Sequence, residues 1–197
     1  MKPDSQSTRL SLLSRARDRD SLAWSELVDL YGPLVAHWCQ RCGFDSHRTA
    51  DCVQDVFAAV ARSLSEFHAK RESGAFRAWL WTITSNKIRD SLRRQQQSPL
   101  PAGGSTALAH LEQVPGDVDI PDAEPTDSHQ LNELVSRGLE QVRAEFEPRT
   151  WDIFRRTVVD QVATAVVAQE FCVSAAAVRQ ARSRVLRRLR QQLGDLE

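Results

Sequence analysis

Between Val53 and Phe67 the apolar residues Val53, Val56, Phe57, Val60, Leu64 and Phe67 fall at i, i+3, i+4, i+7, i+11 and i+14. Only a helix puts that spacing on one face, and the stripe must turn towards a core. No stretch of the chain shows the strict alternation of a half-buried strand, and Ala, Leu, Arg, Gln and Glu dominate the periodic parts. The chain is therefore expected to be all-α. With 197 residues and 41% hydrophobic content it can build one large or two small cores. No run reaches the roughly 18 apolar residues of a membrane span, and the first fifteen residues lack a signal peptide's apolar stretch. The expected location is the cytoplasm, with no membrane association.

Local signals divide the helices. Asp20 or Ser21 can cap a helix that runs to about Cys42, with Gly32-Pro33 a candidate kink. Gly43 ends it, and Asp45 or Ser46 caps the helix carrying the stripe. After the loop His68–Gly74, a helix spans about Phe76–Arg94 with Trp79, Ile83 and Leu92 towards the core. Further helices are expected near Leu131–Phe146, from Pro148, over Val162–Phe171 and over Ala175–Gln192. Between them lies a Pro-, Gly-, Ser- and Asp-rich stretch without apolar period. It is expected to be a flexible linker with an end-to-end distance on the order of 30 Å.

Charge follows the same division. Residues 1–94 carry 15 Lys/Arg against 11 Asp/Glu, residues 95–136 none against 7, and residues 137–197 carry 11 against 8. A neutral total thus hides two basic ends joined by an acidic middle, a partition that points to nucleic acid among the partners. The four cysteines are too few and too uneven for a disulfide framework. Cys39-x-x-Cys42 lies in an apolar helical stretch without a second ligand pair, so buried thiols are expected rather than a metal or redox site. No metal, cofactor or catalytic residue is expected.

Three constellations carry function. A helix ending at Phe171, the turn Cys172-Val173-Ser174 and a second helix match helix-turn-helix spacing. Six arginines and no acid stand between Ala175 and Arg190, beside an apolar stripe of Val178, Ala181, Val185 and Leu189. Amino-terminal residues of such a helix meet base edges in the major groove. Ser174 can cap that second helix, and Arg179, Gln180 and Ser183 are placed nearest the bases, with Arg182 or Arg184 beside them, and Arg187 and Arg188 on phosphates. Secondly, Phe76–Arg94 mixes indole rings with Arg77, Asn86, Lys87, Arg89, Arg93 and Arg94, a composition suited to unpaired bases. Trp81 could serve as a stacking ring or as core. Thirdly, Asp51, Gln54 and Asp55 share one helix face at i, i+3 and i+4. Without a third ligand they suit a docking surface better than a metal.

The stretch D-x-x-Q-D-V-F, followed by F-R-A-W-L-W-x-I-T-x-N-x-x-R-D-x-x-R-R, resembles region two of the extracytoplasmic-function sigma factors. The tail V-V-A-Q-E-F-C-V-S-A-A-A-V-R-Q-A-R-S-R-V-L-R-R-L resembles their region four, in a wording similar to versions abundant in planctomycete-type bacteria. The resemblance implies a region-two helical bundle over residues 1–94, a flexible acidic linker over 95–129 and a region-four helix-turn-helix over 130–197. It implies a non-enzymatic specificity subunit of RNA polymerase. Asp51, Gln54 and Asp55 would dock on the clamp helices of the polymerase largest subunit, and the flap is a second contact. His68, Lys70, Arg71, Arg77, Trp81, Asn86, Lys87, Arg89, Arg93 and Arg94 would melt and read the minus-ten element. Ser174, Arg179, Gln180, Arg182, Ser183, Arg184, Arg187 and Arg188 would read the minus-thirty-five element. An anti-sigma protein is a further candidate partner. The sequence departs from the family at Cys172, where the turn usually has Gly, and at Val166, where Glu is common. The competing readings are a stand-alone helix-turn-helix regulator and a DNA-processing enzyme with a metal on Asp51 and Asp55.

Overall fold

A computed structural model describes residues 11–68, 74–97 and 120–194, and every regular element among them is helical. In chain order these are α1 (Leu12–Arg17), α2 (Ser21–Arg41), α3 (Ser46–Ser63), α4 (Ala75–Gln97), α5 (Ser128–Arg143), α6 (Pro148–Phe154), α7 (Thr164–Glu170) and α8 (Ala175–Gln192). A π-turn over Arg155–Val159 continues α6. Among the described residues no helix is long and apolar enough to cross a membrane.

Capping chemistry sets the boundaries. The Asp20 carboxylate accepts from the amides of Leu22 (2.9 Å) and Ala23 (3.1 Å), starting α2. Pro33 lies inside α2, which continues to Arg41. There Gly43 takes φ +79° while its amide reaches the Gln40 carbonyl and the Phe44 amide the Cys39 carbonyl. This paired closure needs a left-handed residue, which glycine adopts without strain. Asp45 then caps α3 through the Arg48 amide at 2.8 Å. Asp127 and Gln130 exchange backbone-to-side-chain bonds of 3.0 and 3.1 Å, a reciprocal cap that starts α5.

The chain separates into two compact units. One comprises, among the described residues, 11–30 and 131–194; the other comprises 31–68, 74–97 and 120–130. The division after Gln130 lies within one residue of the expected boundary, whereas residues 11–30 group with the C-terminal part and no division falls at 94. In the first unit Leu12, Leu13 and Ala16 are buried, and Leu13 lies so close to Gly194 that a Cβ there would meet its Cδ1 at 2.7 Å. Glu26 binds Arg15 (3.1 Å) and Gln192 (3.2 Å), while its carbonyl accepts from Gln141 (2.9 Å).

The second unit is built on the α3 stripe. Val56, Phe57, Val60, Leu64 and Phe67 are buried as the period requires, and Val53 is half-buried. Against it α4 presents Phe76, Leu80, Trp81, Thr84 and Ile88. Trp79, Ile83 and Leu92, expected in the core, are only half-buried. The deep stripe on α4 is therefore the 76/80/84/88 row, with the Trp79 ring at its edge against Phe67 (4.9 Å) and Phe76 (5.6 Å). Edge-on ring pairs fill the centre: Tyr31 with Phe76 at 5.0 Å, Phe67 with Phe76 at 5.5 Å and Trp38 with Trp81 at 5.4 Å.

Two linker expectations change. Helix α4 runs through Gln97, past the boundary at Arg94. Residues 120–129 are not free but held on the second unit: the Pro121 carbonyl accepts from Trp81 Nε1 (3.2 Å) and the Pro125 carbonyl from Arg41 (3.0 Å). The buried Trp81 N–H needs an acceptor, and the Pro121 carbonyl supplies it.

Cys39, Cys42 and Cys52 are buried free thiols, and no group of three His, Cys, Asp or Glu among the described residues could hold a metal. A hydrogen bond with Cys52 and burial both push the Cys39 thiol up, and the same bond brings Cys52 down. Burial raises Cys42, opposed by Arg41 and helped by Cys52.

Candidate functional site

Helix α3 buries one face and leaves Asp51, Gln54 and Asp55 exposed on the other. The carboxylates face basic neighbours, with His47 Nδ1 3.3 Å from Asp51 and Arg94 3.7 Å from Asp55. Both pairs are largely solvated, so they orient side chains more than they stabilise the fold.

The basic residues of α4 separate into two rows. Thr82, Asn86, Arg89 and Arg93 are exposed at i, i+4, i+7 and i+11. Within this row Arg89 reaches Ser85 Oγ (3.3 Å) and Asn86 Oδ1 (3.4 Å), and Arg93 pairs with Asp90 (2.9 Å). Lys87, Ser91 and Arg94 instead turn towards α3, where they line a pocket of about 200 Å³ with Arg48, Asp51, Cys52 and Asp55. Arg48 was missed from sequence. Its signal was spacing: it stands three and seven residues before Asp51 and Asp55 on the same helix.

Two candidates on this unit are corrected. Trp81 is 3% exposed, packed edge-on against Trp38 with its N–H given to Pro121, so it has no free face for a base. Arg77 is 14% exposed at its side chain and lies 3.9 Å from Glu124, an acid of the linker. It is committed to the fold rather than offered to a phosphate. His68 is exposed, with Nδ1 2.7 Å from the Glu66 carbonyl. Lys70 and Arg71 lie outside the described residues.

In the other unit, α6, α7 and α8 surround a small core of Ile153, Val167, Val178 and Ala181. The turn between α7 and α8 closes like that after α2: the Cys172 amide reaches Gln169 and the Val173 amide Ala168. Cys172 takes φ +50°, so a cysteine does occupy the left-handed position that favours glycine. Ser174 caps α8 by accepting from the Ala177 amide at 3.1 Å. Beyond it Arg179, Gln180, Arg182, Ser183, Arg184 and Arg187 are all exposed, while Val178, Ala181, Val185 and Leu189 are buried. A cap, five cations (Arg190 included) and two amide or hydroxyl groups thus stand on the solvent side of one helix with no acid among them. That surface can meet phosphates and base edges together.

Arg188 is the exception. Its guanidinium is 9% exposed and grips Glu145 in a bidentate pair at 2.8 and 2.7 Å. A phosphate contact from this side chain is ruled out by geometry. The helix period places position 188 beside Leu189 on the inner side, where only a paired charge is tolerated.

Comparison with known proteins bears on both units. Residues 27–98 match the family Sigma-70 region 2. The chain is 33% identical over 89 residues to the ECF RNA polymerase sigma factor RpoE of Cereibacter sphaeroides, covering 45% of this chain and 48% of that relative. It is 28% identical over 156 residues to the RNA polymerase sigma factor CnrH of Cupriavidus metallidurans, covering 79% of this chain and 75% of that one. A match to the ECF RNA polymerase sigma factor SigW of Bacillus subtilis is weaker, at 20% identity, but takes in 93% of this chain and 96% of that protein. With RpoE the matched stretch spans about half of the relative's length.

Proposed function

We propose that this chain is an RNA polymerase sigma factor of the extracytoplasmic-function type, acting in the cytoplasm and directing core polymerase to particular promoters without catalysing a step itself. The observation that carries the reading is the coincidence of the Sigma-70 region 2 match with an exposed Asp51, Gln54 and Asp55 row and an exposed Asn86, Arg89 and Arg93 row. Both rows lie inside residues 27–98. The wording of the α7–α8 tail favours the version abundant in planctomycete-type bacteria.

The division of labour follows from charge. The acidic α3 row docks on the polymerase clamp helices. The Asn86, Arg89 and Arg93 row, with His68, Lys70 and Arg71, captures the minus-ten element. Arginine and amide side chains can hold an extruded base and its phosphates, offsetting an unstacking cost of a few kcal/mol. On α8, Arg179, Gln180 and Ser183 read the minus-thirty-five element, while Arg182, Arg184 and Arg187 fix the register on phosphates. Residues 95–119 tether the two activities, and an anti-sigma protein would act by covering either row.

The test is transcription in vitro with core polymerase on a genomic library, followed by start-site mapping. Starts should lie downstream of a shared two-box motif. Random starts, or specific operator binding by the chain without polymerase, would replace this reading with that of a stand-alone helix-turn-helix regulator.

A further inference from the structure

The pocket between α3 and α4 has more cation than its own acids consume. Asp51 is engaged by His47 at 3.3 Å and Asp55 by Arg94 at 3.7 Å. That leaves Arg48 and Lys87 on the wall. Arg48 is held in place, its guanidinium 4.2 Å from the centre of the Phe44 ring. Its Nη2 is buried and has no hydrogen-bond partner among the described residues. Lys87 is half-buried and, among the described residues, forms no ion pair. A fixed, partly desolvated guanidinium and an ammonium lining one pocket, neither in an ion pair among the described residues, form a receptor for a carboxylate.

The surroundings choose between two sources of anion. A DNA strand carries one sign of charge throughout and would meet Asp51 and Asp55 at the rim. A folded protein can present a carboxylate for the pocket and cations for the rim together. Alternating charge of this kind selects a partner with the opposite alternation.

We infer that Arg48 and Lys87 form a receptor for one acidic side chain on the protein that docks against Asp51 and Asp55, so that Lys87 serves protein binding and not the minus-ten DNA. The inference rests on the proposed docking of this face on core polymerase, and it deepens that docking by naming the chemistry of the contact.

The test measures affinity of the full-length chain for core polymerase, and separately the affinity of each assembled holoenzyme for promoter DNA. The wild-type chain must bind core; if it does not, the sigma-factor reading itself is lost. Given that binding, Lys87→Glu should weaken core affinity by about a hundredfold and Arg48→Gln by about tenfold, the range seen for charge pairs at interfaces. Lys87→Arg should recover most of the loss. Should Arg48→Gln disturb folding in circular dichroism, the comparison of Lys87→Glu with Lys87→Arg decides alone. Variants that bind core as tightly as wild type overturn the inference. So do variants that bind core normally while the holoenzyme loses DNA, an outcome that would make the pocket a phosphate site.

Discussion

Replacing Arg188 separates a structural arginine from its exposed neighbours. The side chain is 9% exposed and its partner Glu145 21%, with both guanidinium–carboxylate contacts under 3 Å. Truncation to Ala removes the cation and leaves a mostly buried carboxylate. Breaking a buried pair from one side costs about 3–5 kcal/mol. Glu145 keeps some access to water, which moves the expectation to the lower end, about 3 kcal/mol. Replacing both partners, as in Arg188→Met with Glu145→Leu, removes both desolvation costs and should restore most of the loss. Urea unfolding at constant slope measures the three variants. The salt dependence of promoter binding should stay unchanged in the double variant, because no phosphate contact has gone. The reasoning is refuted if Arg188→Ala costs less than about 0.5 kcal/mol, the ordinary surface value, and flattens the salt slope instead.

Other perturbations probe other parts of the fold and site. Arg182→Ala should leave stability within about 0.5 kcal/mol and reduce the slope of log affinity against log salt by about 0.9; an unchanged slope would remove it from the phosphate contacts. Cys172→Gly should stabilise by about 0.5–1 kcal/mol, since relief of a left-handed cysteine exceeds the entropy cost of glycine, and a lower melting temperature would contradict that. Trp81→Ala should cost about 3–5 kcal/mol in unfolding experiments because it empties the space against Trp38; a fully stable variant with weakened strand opening would return Trp81 to the DNA. The Asp20 carboxyl is held below its ordinary 3.8, first by the Ala23 amide and then by Arg15. Its contribution is therefore complete above that value and disappears as pH falls through the lower folded value, so the acid limb of a pH–stability curve should flatten in Asp20→Asn. An unaltered limb would show that the cap does not titrate with folding.

The site was legible in part, and the parts have a common reason. Exposed Asp51, Gln54 and Asp55 followed from the α3 period because the large apolar residues there fall on one stripe. The same held for α8, whose four inner residues and first arginines were separated correctly by spacing alone. Helix α4 was harder. Aromatic and basic residues are interleaved all round it, so period gave no single inner face and Trp81 could be read as stacking ring or core. Its burial depends on Trp38 and on the carbonyl of Pro121, forty residues further along.

What the amino-acid order determined by itself was local: helical elements, their caps at Asp20, Asp45 and Ser174, and the sign of charge on each face. These depend on residues within a turn or two of one another, where backbone geometry fixes who is neighbour to whom. Tertiary structure decided which charges are free. Arg188 is consumed by Glu145, Arg77 faces Glu124, and Lys87 is turned into a cleft beside Arg48. A periodic pattern can say on which side of a helix a cation stands. It cannot say whether a carboxylate brought from elsewhere in the chain already stands opposite, and that is what makes an arginine structural or available.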